Sequence, residues 1–160
     1  MNVVLGEFSI RVQNSRRLMK IAILCSAFLA LLQVGLALGI SAMRWKYKRS
    51  VGTFDDPDHP LSRVRTAFSN CAEWHPTLIA LMVILQMGGA PGWSVWLSPV
   101  AVAARYLLVV GLVTFTNKRP NIARFLGACG TFGSVLVLAL LVMLTYWPHA
   151  AAVAPVHVTP

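Results

Sequence analysis

Asn70, Glu73 and Arg105 are the residues of this chain whose types and positions look most like chemistry rather than packing. Each interrupts an otherwise apolar run: Asn70 and Glu73 lie within Thr66 to Met87, and Arg105 lies within Trp93 to Thr116. A charge facing lipid costs about 3 kcal/mol or more, so these groups must face protein or a hydrated cavity. Asn70 and Glu73 are three apart, on one helix face. Arg63 stands seven before Asn70, two turns away on nearly the same face, so a polar stripe runs from the first loop toward mid-membrane. At about 1.5 Å of rise per residue, Glu73 lies roughly 15 Å beyond Arg63 and Arg105 roughly 18 Å before Asn117. These depths predict that Glu73 and Arg105 face each other as a buried ion pair, tolerable only if further hydrogen bonds accompany it.

The chemistry such a stripe suits is recognition of a small zwitterion. Arg63 stands at the entrance, Arg119 and Arg124 stand there from another loop, and guanidinium groups bind carboxylates through paired hydrogen bonds. The deeper Glu73 would take an ammonium group. The same residues serve a purely structural reading as well, with Glu73 and Arg105 locking the bundle and the outer arginines meeting lipid phosphates. Pro76, one turn past Glu73, removes the backbone hydrogen bond to the Ala72 carbonyl and is expected to kink the helix beside the cluster.

The elements that must position these residues are legible in the composition. The chain has 160 residues, 57% of them apolar and 12% charged. A soluble domain carries about 25% charged residues, so a normal water-facing surface is missing. Ile21 to Met43 and Phe125 to Trp147 are 23-residue runs without a charge, long enough to cross the roughly 30 Å hydrocarbon core as helices. With the two impure runs they make four transmembrane helices, an all-α fold. The domain division is a basic N-terminal segment at 1–20, a four-helix domain at 21–147 and an Ala/Pro-rich tail at 148–160 that is expected to be disordered. Arg11, Arg16, Arg17 and Lys20 before the first run mimic a signal peptide, but the length of the run and the Arg44-Trp45 that follows it favour a retained helix.

Connections at 44–65, 88–92 and 117–124 are short, which forces neighbouring helices antiparallel in an up-down bundle. The first and third loops then share one side and hold nine Lys or Arg residues, against four at the N-terminus. The positive-inside rule places those two loops in the cytoplasm and both termini on the periplasmic or lumenal side. The net charge of +9 sits at helix ends, where headgroups and topology account for it, so nucleic acid is not the expected partner. Cys25, Cys71 and Cys129 all fall inside helices without a C-x-x-C, which reads as packing rather than a disulfide frame or metal site.

Residues 63–76, RVRTAFSNCAEWHP, resemble the second-helix signature of the membrane-associated proteins in eicosanoid and glutathione metabolism, approximately R-A-x-x-N-x-x-E-x-x-P. Ala67, Asn70, Glu73 and Pro76 match in place, and Arg63 matches an arginine of several members. Residues 105–131, RYLLVVGLVTFTNKRPNIARFLGACGT, resemble the family's third helix, third loop and start of the fourth helix, with Arg105 at its buried arginine. The resemblance covers about 60–140. It implies a homotrimer with glutathione, as co-substrate, held between subunits near the cytoplasmic side. Arg63, Asn70 and Glu73 would hold the tripeptide. Arg65, one position from where the family has an arginine, joins Arg105 and its neighbour Tyr106 in the expected binding set. Arg124 and Arg119 compete for the catalytic role of stabilising the glutathione thiolate, the reactive form of the thiol.

Three positions depart from the pattern. Thr66 replaces the arginine four before Asn70, Trp74 replaces a tyrosine, and Leu108 replaces a polar residue three after the buried arginine. Two functions follow as expectations. One is a membrane-bound glutathione transferase or peroxidase that acts on lipophilic electrophiles or lipid peroxides arriving from the bilayer. The other is a non-catalytic lipid-binding adapter on the same fold. A proton pathway through Glu73 and Arg105 is the weakest reading, because one acid and one base make a short relay.

Overall fold

A computed structural model of the chain describes residues 2–52, 54–115 and 121–151, with the side chains of 2–12, 14, 15 and 148–151 outside the description. Four helices occur: α1 (Asn2–Lys46), α2 (Pro60–Met87), α3 (Leu97–Thr114) and α4 (Ile122–Ala151), with a short 3-10 turn at Gly92–Trp96 leading into α3. No strand is present among the described residues. The basic stretch before Ile21 is continuous with the first apolar run as one 45-residue helix, because nothing between Asn2 and Lys20 stops helix propagation. The α4 helix passes Pro148 and ends at Ala151.

Local chemistry accounts for the boundaries. Pro60 occupies the first turn of α2, where its missing N–H is no loss, and His59 caps that end by accepting the Leu61 N–H on Nδ1 at 3.2 Å. The other end of α2 closes as the Gly88 N–H donates to the Ile84 carbonyl, and Gly89 follows in the left-handed region at φ +69°. The Asn121 side chain caps α4 by accepting the Ala123 N–H at 2.9 Å.

Cross-helix bonds set α2 antiparallel to α3 and parallel to α4, the order of an up-down bundle. Arg63, near the start of α2, donates to the Thr114 carbonyl at the end of α3 at 3.4 Å. Tyr146, near the end of α4, donates to the Ile84 carbonyl near the end of α2 at 3.1 Å. The first and third connections therefore share one end of the bundle, as the loop lengths require. The helices α3 and α4 meet through small residues. A Cβ on Gly127 would lie 2.5 Å from the Leu108 backbone nitrogen, and one on Gly130 would lie 2.8 Å from the Ala104 Cβ. Such small-residue seams let helix backbones approach closely, the packing that replaces hydrophobic drive inside lipid.

Two apolar clusters make the core. One, toward the end shared by the first and third connections, includes Leu36, Ile40, Leu61, Val64, Cys71 and Val109. The other includes Leu29, Leu78, Met82, Leu85, Ala101 and Leu138. Arg105 and His75, both buried, fall between them along α3 and α2. Three helical stretches are long and apolar enough to cross a membrane, 16–46, 92–114 and 122–147. The 28-residue α2 is diluted by Arg63, Arg65, Glu73 and His75, and it packs against all three other helices.

Candidate functional site

The polar side chains of α2 divide between two environments. Asn70 and Cys71 turn toward α3, whereas Arg65 and Glu73 stay exposed on the outer face. Arg105 crosses from α3 fully buried, donating from Nη1 to Asn70 Oδ1 at 2.8 Å and from Nη2 to the Cys71 sulfur at 3.2 Å. The expected Glu73–Arg105 ion pair is absent. The correction has a geometric cause. The α3 helix stops at Thr114 rather than running to Thr116, so Arg105 lies only about 13 Å from that end at 1.5 Å per residue. That depth matches Asn70, a turn nearer the loops than Glu73.

On the outer face, Arg65, Asn70 and Glu73 line a groove of 620 Å³ with Ser62, Thr66 and Ser69, and Phe54, Asp55 and Pro57 of the first connection close its side. This volume falls within the usual 300–1,000 Å³ range of small-molecule sites. The groove offers one guanidinium, two carboxylates, an amide and three hydroxyls. It is thus built to receive a polar molecule carrying both an acidic and a basic group. The loop wall is shaped by an aromatic cluster. The Phe54 ring lies 3.8 Å from that of His59 and 5.7 Å from that of Tyr47, with the Arg49 guanidinium 4.5 Å from its centroid.

The remaining predicted site residues lie elsewhere. Arg63 reaches the end of α3, as described, and its Nε is buried without a hydrogen-bond partner. Arg124 also grips that end: Nε donates to the Gly111 carbonyl at 2.8 Å, and Nη2 donates to the carbonyls of Phe115 at 2.9 Å and Leu112 at 3.4 Å. The last carbonyls of a helix carry partial negative charge and lack partners within it, so a guanidinium there acts as a cap. Tyr106 donates its hydroxyl to the Phe28 carbonyl of α1 at 3.1 Å. Arg119 lies outside the described residues. The structure therefore brings together Arg65, Asn70 and Glu73, ties Asn70 to Arg105, and directs Arg63, Arg124 and Tyr106 to backbone carbonyls.

Sequence reasoning passed over Asp55, Ser62 and Ser69 in the groove. It also passed over His75, which is 4% exposed with neither ring nitrogen hydrogen-bonded. The spacing held a signal for His75, four after Cys71 and so on the same buried face of the helix. Asp55 carried none, since its position depends on the fold of the first connection. No group of histidine, cysteine or acidic side chains among the described residues is arranged to hold a metal ion.

Long apolar helices packed antiparallel, with a buried guanidinium and an outer polar groove, define an integral membrane helical protein. The model of the MAPEG family matches residues 22–144, most of the chain, and the protein belongs to that family, the membrane proteins of eicosanoid and glutathione metabolism. No curated protein matches the chain.

Proposed function

We propose that this protein is a membrane-bound glutathione transferase or peroxidase that holds glutathione in the groove on the outer face of α2. The observation that carries this reading is the convergence of Arg65, Asn70 and Glu73 on one 620 Å³ groove. Glutathione presents two carboxylates and one ammonium. Arg65 suits a carboxylate, Glu73 or Asp55 the ammonium, and Asn70 with the hydroxyls the peptide groups between. The groove lies on an exposed helix face, which supports a homotrimer in which a neighbouring subunit completes it. The α2 helix then spans the bilayer inside the assembly, with the first and third connections cytoplasmic and the termini on the opposite side.

In the transferase reaction the glutathione thiolate attacks an electrophilic carbon of a lipophilic substrate, forming a thioether as the leaving group departs. In the peroxidase reaction a lipid hydroperoxide is reduced to the alcohol and water while two glutathione molecules become the disulfide. Both steps need the thiolate, which a nearby guanidinium favours. Arg124 is the candidate, since its Nη1 makes no hydrogen bond among the described residues; it does not line the groove of its own chain, so in this reading it serves the groove of a neighbouring subunit.

The second reading, a non-catalytic lipid-binding protein, is favoured by the same arginine. Three backbone carbonyls already engage Arg124, and a fourth engages Arg63. Conjugation of glutathione to 1-chloro-2,4-dinitrobenzene by the purified protein separates the readings. The enzyme reading expects turnover above the uncatalysed rate that Arg124→Ala abolishes. Absence of wild-type turnover, with lipid hydroperoxides also unreduced, supports the second.

A further inference from the structure

The first described side chains of α1 form a cationic face at the end of the bundle away from the first and third connections. Gln13, Arg16, Arg17 and Lys20 line a recess there of 370 Å³. Steps of three, four and seven residues from Gln13 put all four on one side of the helix. All are exposed, and none makes a hydrogen bond or ion pair with a described residue. The acids of the chain stand away from them. Of the five, Asp55, Asp56 and Asp58 belong to the first connection, at the other end. At about 1.5 Å of rise per residue, Glu73 lies roughly 21 Å short of the end of α2, and Glu7 lies roughly 13 Å from Arg16 along α1. The positive-inside rule accounts for the basic residues of the first and third connections, and it does not account for cations at the opposite end.

The side of α1 that carries these cations is the side it turns away from the bundle. Arg17, Leu24, Leu31 and Leu38 follow one another at seven-residue spacing, and the three leucines are 59%, 64% and 65% exposed. Ala22, Leu29, Leu36 and Ile40, which α1 buries in the core, lie on the opposite side of the helix. Lys20 directly precedes the charge-free run that begins at Ile21. Arg17 and Arg16 stand roughly 5–6 Å further out, within a headgroup layer that is itself about 5–7 Å thick. Three cations at headgroup level, above an open apolar strip on the same helix face, match the layout of a lipid with a negatively charged head. We propose that the start of the α1 span is a binding site for an anionic glycerophospholipid. Arg16, Arg17 and Lys20 hold the phosphodiester, the Gln13 amide meets the headgroup hydroxyls, and an acyl chain lies along Leu24 and Leu31. A zwitterionic lipid brings its own ammonium against these cations and is disfavoured, whereas each cation near an anionic headgroup is favourable.

Photocrosslinking of the full chain in bilayers of equimolar phosphatidylglycerol and phosphatidylcholine tests the assignment at the site itself. One preparation carries Leu24→benzoylphenylalanine. A second carries Leu144→benzoylphenylalanine, on α4 near the same end of the bundle, where the side chain is 71% exposed. Mass spectrometry then reads which lipid each position captures. Position 24 is expected to capture phosphatidylglycerol over phosphatidylcholine about fivefold, the ratio that corresponds to about 1 kcal/mol. Position 144 is expected to capture the two about equally. Adding Arg16→Gln, Arg17→Gln and Lys20→Gln to the first preparation is expected to bring its ratio level. Adding Lys46→Gln, Lys48→Gln and Lys118→Gln removes equal charge from the first and third connections and is expected to leave the ratio unchanged. A ratio at position 24 no higher than at position 144 overturns the proposal without recourse to the charge variants. Equal losses in the two triple variants overturn it in favour of bulk charge. Loss of the preference on adding inorganic phosphate, at constant ionic strength, overturns it in favour of a soluble anion. Capture of a second copy of the chain in place of lipid overturns it in favour of a subunit interface.

Discussion

The Arg105 guanidinium donates to Asn70 Oδ1 at 2.8 Å across the α2–α3 interface, while Glu73, one turn further along α2, stays exposed. The two polar residues that share a signature on α2 therefore have separate tasks. Asn70 holds a buried cation and also borders the groove, whereas Glu73 serves the groove alone.

That division predicts opposite effects on stability. Asn70→Leu removes the best hydrogen bond of a fully buried guanidinium and is expected to cost about 2–3 kcal/mol. Glu73→Gln removes no bond among the described residues and is expected to leave thermal stability unchanged. Thermal unfolding of both variants in detergent or nanodiscs makes the comparison. If Glu73→Gln proves the more damaging, the pairing is wrong.

The α3–α4 seam predicts a sharp positional dependence. Gly127→Ala places a methyl 2.5 Å from the Leu108 backbone nitrogen, an atom that cannot move without shifting the helix. A loss of about 1–3 kcal/mol is expected, as for other overpacked interiors. Gly133→Ala meets nothing within 4 Å and is expected to be neutral or slightly stabilising, since alanine is the better helix former. Melting temperatures of the two variants, measured side by side, check this.

Arg124 predicts a coupled loss. Arg124→Ala leaves the Gly111, Leu112 and Phe115 carbonyls without their guanidinium and is expected to cost about 1–3 kcal/mol. Arg124→Lys keeps the charge at the helix end but not the fork, and is expected to recover part of the stability. Any conjugating activity should fall further than stability does in the lysine variant, because one ammonium cannot cap the helix and approach a thiolate together. Activity and melting temperature measured on the same preparations distinguish the two roles.

Much of this architecture was legible from charge-free runs and punctuation. Ile21 to Met43 and Phe125 to Trp147 lie within α1 and α4, and Gly88-Gly89 marks the end of α2, whereas α2 starts at Pro60, inside the stretch expected to be the first connection and six residues before the expected Thr66. Helix ends without strong breakers were not legible. Thr114 ends α3 although Phe115 and Thr116 are compatible with continuing it, and that small difference in depth misassigned the partner of Arg105. The groove was half legible. Asn70 and Glu73 announce themselves as polar residues in an apolar run, and Arg65 stands beside them. Phe54 and Asp55 join only because the first connection folds back over α2, which no residue spacing encodes. Arg63 and Arg124 both reach the end of α3, yet in a sequence an arginine can serve a ligand or a helix end equally well. Only the positions of the α3 carbonyls decide between those uses.

The central claim, that the groove of Arg65, Asn70 and Glu73 holds glutathione, is tested most directly by the thermal shift that millimolar glutathione produces in the purified protein. Wild type is expected to melt several degrees higher with glutathione than without. Glu73→Gln and Arg65→Gln are each expected to melt like wild type without ligand and to lose most of that shift. No shift in wild type, or an undiminished shift in both variants, would contradict the account.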